Sequence, residues 1–276
     1  MNEIAPGMAG GLSYLAHGGG GGMPIVLLHG IGSNAQSFEP LMHVLSARHP
    51  VVAWDAPGYG RSQPLAVASP DASDYAAALD RLLVELDVAR CVLLGHSLGN
   101  LIAARFAVLW PERVAALVLA SPALGHGTDK GAPLPPAVAG RIEELDRLGA
   151  EGFAAARAPR LVADPVARPD VLRAVELSMA AVRRPGYDQA ARLLAGGRLL
   201  DDAAAIHVPT AVLVGTQDRI TPPANARRVY DALGGAAPWR AYREIADAGH
   251  AICQEQPAEV ARLIVETAEN EANAHA

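Results

Sequence analysis

Cysteine is scarce in this sequence, charge is modest, and no long apolar run occurs; each scarcity removes a class of protein. The two cysteines, Cys91 and Cys253, stand in a chain of 276 residues. A disulfide framework needs more, and neither belongs to a CxxC pair, so reduced structural thiols are expected. Charged residues make up 19% of the chain and the net charge is −6 at pH 7. That balance gives no reason to expect nucleic acid or an anionic membrane as a partner. No apolar run approaches the roughly 18 residues of a membrane span. The opening stretch, "MNEIAPGMAGG", has no basic segment leading into an apolar one. A secretory leader is therefore not expected, and a cytoplasmic location is. What the chain does have is apolar material, 51% of its residues. That suffices for a substantial core in one medium-sized domain, or in a domain with a large insertion.

Near the start, "GLSYLAH" reads as an edge strand, and Gly18 to Gly22 fit a flexible hairpin loop. A phosphate-cradling loop would require a following Gly-Lys-Ser/Thr, which is missing. Apolar strand runs then alternate with helical patterns. "PIVLLHG", "VVAW", "CVLLG" and "VAALVLAS" are strands; "NAQSFEPLMHVLSAR", "DYAAALDRLLVELD" and "LGNLIAARFAVLW" are helices. This alternation predicts an α/β fold with a parallel sheet covered on both faces. It stops after Ser121 and resumes near "TAVLVGTQD", residues 210 to 218. The stretch between is too long for a connection and reads as several helices. The expected organisation is a core of residues 1–121 and 206–276 with a helical cap at 122–205. A helix from about Pro223, a strand at "RAYREIA" and a helix from about Pro257 complete the core.

Ligands of open parallel sheets bind beyond the carboxyl ends of the strands. The residues there are His29-Gly30, Asp55, Ser97, Ser121, Asp218 and His250. Ser97 lies in "LLGHSLGN", a strand followed by Gly-x-Ser-x-Gly and a helix, which is the pattern of a nucleophile elbow. Gly95 and Gly99 let strand and helix approach, and the helix N-terminus favours developing negative charge. A serine hydroxyl needs a positioned base. His17, His43, His49, His126, His207 and His275 read as surface residues, and His29 and His96 as packing or hydrogen-bonding residues of the site loops. His250 follows the last strand and is the expected base. Asp218, after the strand before it, is the expected acid, which gives the chain order nucleophile, acid, base. Asp247 is the weaker candidate. Leu98 and Ile31 N–H groups are the expected oxyanion donors, with Gly30 and Gly32 permitting the turn at Ile31.

"LLHGIGSN", "WDAPGYGRS", "LLGHSLGN", "VGTQDRITPP" and "AGHAICQEQP" resemble, in order and spacing, the α/β-hydrolase superfamily. The resemblance covers nearly the whole chain apart from the cap. It implies a mostly parallel eight-stranded sheet, a helical cap after strand six and a Ser-Asp-His triad. The "DAPGYGRS" turn and the short cap resemble the group that holds 3-oxoadipate enol-lactonases, small-ester hydrolases and C–C bond hydrolases of aromatic ring-cleavage products. Serine at the nucleophile position disfavours the dehalogenase and epoxide hydrolase branches.

The expected activity is a cofactor-free, metal-free serine hydrolase acting with water on a small carboxylic ester or (enol-)lactone. C–C cleavage of a diketone by the same triad is the alternative. Against it stand His96 and Ala251, where the C–C hydrolases typically have Asn and Trp. A non-catalytic ligand sensor on the same fold is a third reading. Phe153 and Tyr187 are the cap's only aromatics, which disfavours a lid for long-chain lipid. Five cap arginines, Arg157, Arg160, Arg168, Arg183 and Arg184, offer either carboxylate anchors or a solvated helix face.

Overall fold

Runs of four to seven apolar residues, rich in valine, leucine and isoleucine, give strands too short for helices and buried on both faces. A computed structural model describes residues 3–234 and 237–274. Within them one eight-stranded sheet forms from β1 (Ala5–Ala9), β2 (Leu12–His17), β3 (Ile25–Leu28), β4 (Val51–Trp54), β5 (Cys91–His96), β6 (Val114–Ala120), β7 (Thr210–Gly215) and β8 (Arg240–Ile245). The spatial order is β1-β2-β4-β3-β5-β6-β7-β8. The β1–β2 and β2–β4 ladders are antiparallel, and those from β4 through β8 are parallel.

Ten α-helices accompany the sheet among the described residues: α1 (Glu39–Leu45), α2 (Ala72–Glu85), α3 (Gly99–Leu109), α4 (Pro136–Arg157), α5 (Pro169–Ala180), α6 (Gly186–Gly196), α7 (Leu199–Ala204), α8 (Pro223–Ala232), α9 (Ile252–Glu255) and α10 (Pro257–Ala274). Side chains alternate across the sheet with the period of two that a strand imposes. Val26 and Leu28 join Leu79, Leu101 and Phe106 on one face. Ile25 and Leu27 join Leu41, Val260 and Ile264 on the other. Each such side chain, fully buried, contributes about 1.5–3 kcal/mol.

The N-terminal expectation needs correcting. β2 is an internal strand between β1 and β4, not an edge. Gly18–Gly22 does not close a hairpin, because it links β2 to β3 and these strands are not neighbours. The strand at fault is β1, "APGMA", whose proline and glycine hide it from pattern reading and whose place at the edge tolerates both. His17 is likewise buried rather than on the surface, its ring 5.4 Å from that of His43. His275 lies outside the described residues. The stretch read as one helix after β3 is a 3-10 turn, Ala35–Phe38, capped by Asn34 and followed by α1.

Between β6 and β7 lie α4 to α7. The short α7 was not foreseen, and α4 bends at Gly149, where φ is 67°. Leu145, Phe153, Met179, Tyr187 and Leu193 from this stretch share one apolar cluster with β3, β5 and α3.

Candidate active site

The turn after β5 carries Ser97 at φ 55°, in the left-handed region that a residue with a Cβ seldom occupies. Several contacts hold it there. A Cβ on Gly95 would come within 2.6 Å of the Gly99 carbonyl, and one on Gly99 would run into the Leu28 carbonyl. Ser97 N–H donates to Ala120 O at 3.0 Å. The buried Asn100 amide donates to Ser97 O at 3.0 Å and to Ala120 O at 2.8 Å, fastening the elbow to the end of β6. The strained turn presents the Ser97 side chain to a cavity.

His250 lies between β8 and α9 and is buried, its Nδ1 2.9 Å from Asp218 Oδ2 and 3.1 Å from Thr221 Oγ1. Asp218 Oδ1 accepts the Ile220 and Thr221 N–H groups, each at 2.8 Å. The Thr221 hydroxyl reaches Asp218 Oδ2 at 2.9 Å and Ser121 O at 3.0 Å. Burial works against the charged form of Asp218. The attraction and hydrogen bond of His250, with the two N–H donors, outweigh it and hold this carboxyl well below the usual carboxylate range. Asp218 is thus an anion aimed at the imidazole nitrogen that faces away from the cavity.

The two other site histidines hold loops. His96 Nε2–H donates to the His250 carbonyl at 2.7 Å, with the rings 5.0 Å apart. Burial, reinforced by the nearby His250, pushes its pKa down to about 3, so it stays neutral. His29 Nδ1–H donates to Gly30 O at 2.9 Å while its Nε2 accepts Ala56 N–H at 3.0 Å; burial lowers its pKa too. A Cβ on Gly30 would lie 2.8 Å from that of Ser97, and Gly32 has φ 82°. The loop therefore lies against the elbow, with Ile31 and Leu98 on the same cavity as Ser97 and His250. Neither the Ile31 nor the Leu98 N–H has an acceptor among the described residues.

Two hollows meet at Ser97 and His250. The larger, about 400 Å³, runs under α4 and α6 and is bounded by Ile31, Leu98, Met179 and Leu194. The smaller, about 30 Å³, is lined by Ser33, Ser37, Val175, Ser178 and Ala251. Asp247 is exposed. Asp55 holds loops together, accepting Ala35 N–H at 3.0 Å and the Ser13 hydroxyl at 2.6 Å. Of the five cap arginines singled out above, Arg157 and Arg160 line the larger hollow, as does a further one, Arg141 on α4; Arg168 lies 3.4 Å from Glu255, and Arg184 pairs with Asp146 and Asp188.

Thr221, Asn100 and Glu255 were not singled out from sequence. Thr221 had a local signal, a hydroxyl three residues after an aspartate in a turn. Glu255 had none: it accepts backbone N–H groups of Gly249 at 2.7 Å and of Ala163 at 2.9 Å, the second far away in the chain. Both cysteines are free and buried. Among the described residues no cluster of three or more His, Cys, Asp or Glu could hold a metal ion, and no helix is long and apolar enough to cross a membrane.

A mostly parallel sheet of this order, with a serine elbow after β5 and helices inserted after β6, defines an α/β hydrolase. Residues 23–257 match the family described as serine aminopeptidase, S33, and the chain belongs to that family of hydrolytic enzymes. It is 31% identical over 234 residues to the dihydrolipoyllysine-residue acetyltransferase component of the acetoin cleaving system of Pseudomonas putida. That match takes in 79% of this chain but 58% of the relative, so this chain spans less than two thirds of it. A thermophilic esterase from Thermogutta terrifontis, solved with malate bound, superposes with a TM-score of 0.82 at 25% identity, covering 98% of this chain and 99% of the esterase. The enol-lactonase from Burkholderia xenovorans gives a TM-score of 0.82 at 22% identity, over 95% and 99% of the two chains, a likeness of fold.

Proposed function

We propose that the protein hydrolyses a small carboxylic ester or lactone through an acyl-enzyme, without a cofactor. The observation that carries this reading is His250, with Asp218 2.9 Å behind it, opening together with Ser97 onto one cavity. Ser97 Oγ attacks the carbonyl carbon as His250 Nε2 takes its proton; Asp218 holds Nδ1–H and stabilises the imidazolium. The carbonyl oxygen becomes an oxyanion to which the free Ile31 and Leu98 N–H groups donate, each such donor contributing about 2.7–4 kcal/mol to the transition state. His250 then returns the proton to the alkoxide, which leaves as alcohol or, from a lactone, remains tethered. Water attacks the acyl-enzyme, gives its proton to His250, and releases the carboxylic acid as that proton passes back to Ser97. In this scheme residues 122–205 form the cap that roofs the cavity.

The test is a stopped-flow burst with 4-nitrophenyl acetate and labelling with a fluorophosphonate probe, wild type beside Ser97→Ala. A burst near one equivalent and a label on Ser97, both lost in the variant, are expected. Labelling that survives in Ser97→Ala would overturn the assignment.

A further inference from the structure

The protein is acidic overall, with a net charge of −6, yet the wall of its larger cavity carries the opposite sign. Four guanidinium groups line it, those of Arg141, Arg157, Arg160 and Arg219, together with His126 and Asn225. No carboxylate is among its lining residues. Like charges gathered around a confined space repel one another and raise the potential within it. A fold tolerates that when each charge has a local counter-ion, or when a ligand supplies one.

Only one of the four is neutralised. Arg157 binds Glu144 through Nε at 2.6 Å and lies over the Phe153 ring. Arg141, Arg160 and Arg219 have no ion pair or hydrogen bond among the described residues. For Arg160 and Arg219, which are exposed, water suffices. Arg141 differs, because its Nε is buried and has no partner. A buried N–H without an acceptor is costly, and few native structures keep one without a reason. The three arginines also come from separate places: Arg141 from α4, Arg160 from the 3-10 turn after it, and Arg219 from the loop beside Asp218. Their convergence on the Ser97 cavity is not a by-product of one helix face.

We propose that this wall is an anion subsite and that the substrate carries a free carboxylate, remote from the carbonyl that Ser97 attacks. A guanidinium fork matches a carboxylate with two parallel hydrogen bonds. Arg141, half-buried and without a counter-ion among the described residues, and the exposed Arg160 and Arg219 supply the charge of the wall. The part of the substrate on the other side of the scissile bond is small and uncharged, since the second hollow offers about 30 Å³ and has no carboxylate, ammonium or guanidinium among its lining residues. The proposal deepens the hydrolase reading and rests on it.

Two measurements separate the two claims. The first compares kcat/KM for methyl pentanoate with that for monomethyl glutarate, equal in length but ending in a carboxylate and carrying a leaving group small enough for the second hollow. Wild type is expected to favour the acid ester at least about tenfold, the scale of one charge-assisted hydrogen bond. The ratio should fall toward one in Arg141→Gln and be reduced in Arg219→Gln, whose exposed position spares the fold. Raising salt from about 0.05 M to 0.5 M should lower it as well. Equal rates on both esters would overturn the subsite and leave the hydrolase reading intact. The second measurement titrates glutarate against Ser97→Ala by calorimetry, which needs no chemistry. Saturable binding that Arg141→Gln abolishes supports the subsite even if neither ester is turned over. Absence of binding, or binding that survives Arg141→Gln, overturns it.

Discussion

At the scale of single residues, the charge of Asp218 is held by more than its imidazole partner. The Thr221 and Ile220 N–H groups donate to one carboxylate oxygen, and the single Thr221 hydroxyl proton is shared between the other carboxylate oxygen and the Ser121 carbonyl at the end of β6. The carboxylate of the pair is therefore anchored on its own loop by contacts that do not involve His250. A sign follows for stability. Asp218 has a folded-state pKa below its unfolded value of about 3.9, so the stability it contributes is fully present above that value. That contribution is lost as pH falls further, toward the folded-state pKa. The advantage of wild type over Asp218→Asn in urea unfolding should be fully present at about pH 5. The difference should shrink below about pH 4. A difference that grows on acidification would assign the stabilisation elsewhere.

At the scale of elements, the loop holding His250 is bonded to the stretch that follows α4. Ala251 N–H donates to Leu161 O at 3.0 Å, and Glu255, its side chain fully buried, takes one N–H from each side. Gly249 makes the approach possible, since a Cβ there would lie 2.7 Å from Ala163 N and 2.8 Å from Leu161 O. Both obstacles are backbone, so neither can swing aside. Gly249→Ala should lower kcat at least about tenfold and cost about 1–3 kcal/mol of stability, as overpacking does. Gly140→Ala in α4 would meet no atom within 4 Å. It should leave stability unchanged or raise it by about 0.5–1 kcal/mol. Thermal melts and rates on the two variants check this contrast.

The same region marks where sequence reasoning stops. That Ser97, Asp218 and His250 lie close together beyond the strand ends was legible, because the strand–turn–helix context restricts their places. The parallel strands were legible because two buried faces require unbroken apolar runs. Glu255 and β1 were not, for different reasons. Glu255 accepts a backbone N–H from Ala163, far away in the chain, and a backbone N–H carries no mark of the side chain above it. β1 pairs with the strand next to it in sequence, but its proline and glycine break the pattern of a strand. Arg141 was missed in a different way. Arginine on an amphipathic helix looks the same whether it faces water or a cavity, and only the direction of α4 distinguishes the two.

At the scale of the whole molecule, the helices between β6 and β7 are bound to the sheet side of the structure. Phe153, Tyr187 and Leu193 share an apolar cluster with Leu93 and Leu101. Arg105 on α3 pairs with the nearly buried Asp202 on α7 at 2.7 Å. Shared burial couples the unfolding of segments that lie far apart in sequence. Circular dichroism of the backbone and tryptophan fluorescence should therefore report one coincident transition in urea, with no earlier loss of residues 122–205. Two separated transitions would show that those helices melt by themselves.

The sign of the cavity wall also bears on how a reaction ends. Hydrolysis converts an uncharged linkage into a new carboxylate, so what leaves the cavity has one more negative charge than what entered. Guanidinium groups that retain the substrate retain that product more strongly. Turnover on an acidic ester would then slow as acid accumulates, and salt, by loosening the departing dianion, would speed its release while weakening capture of the next molecule.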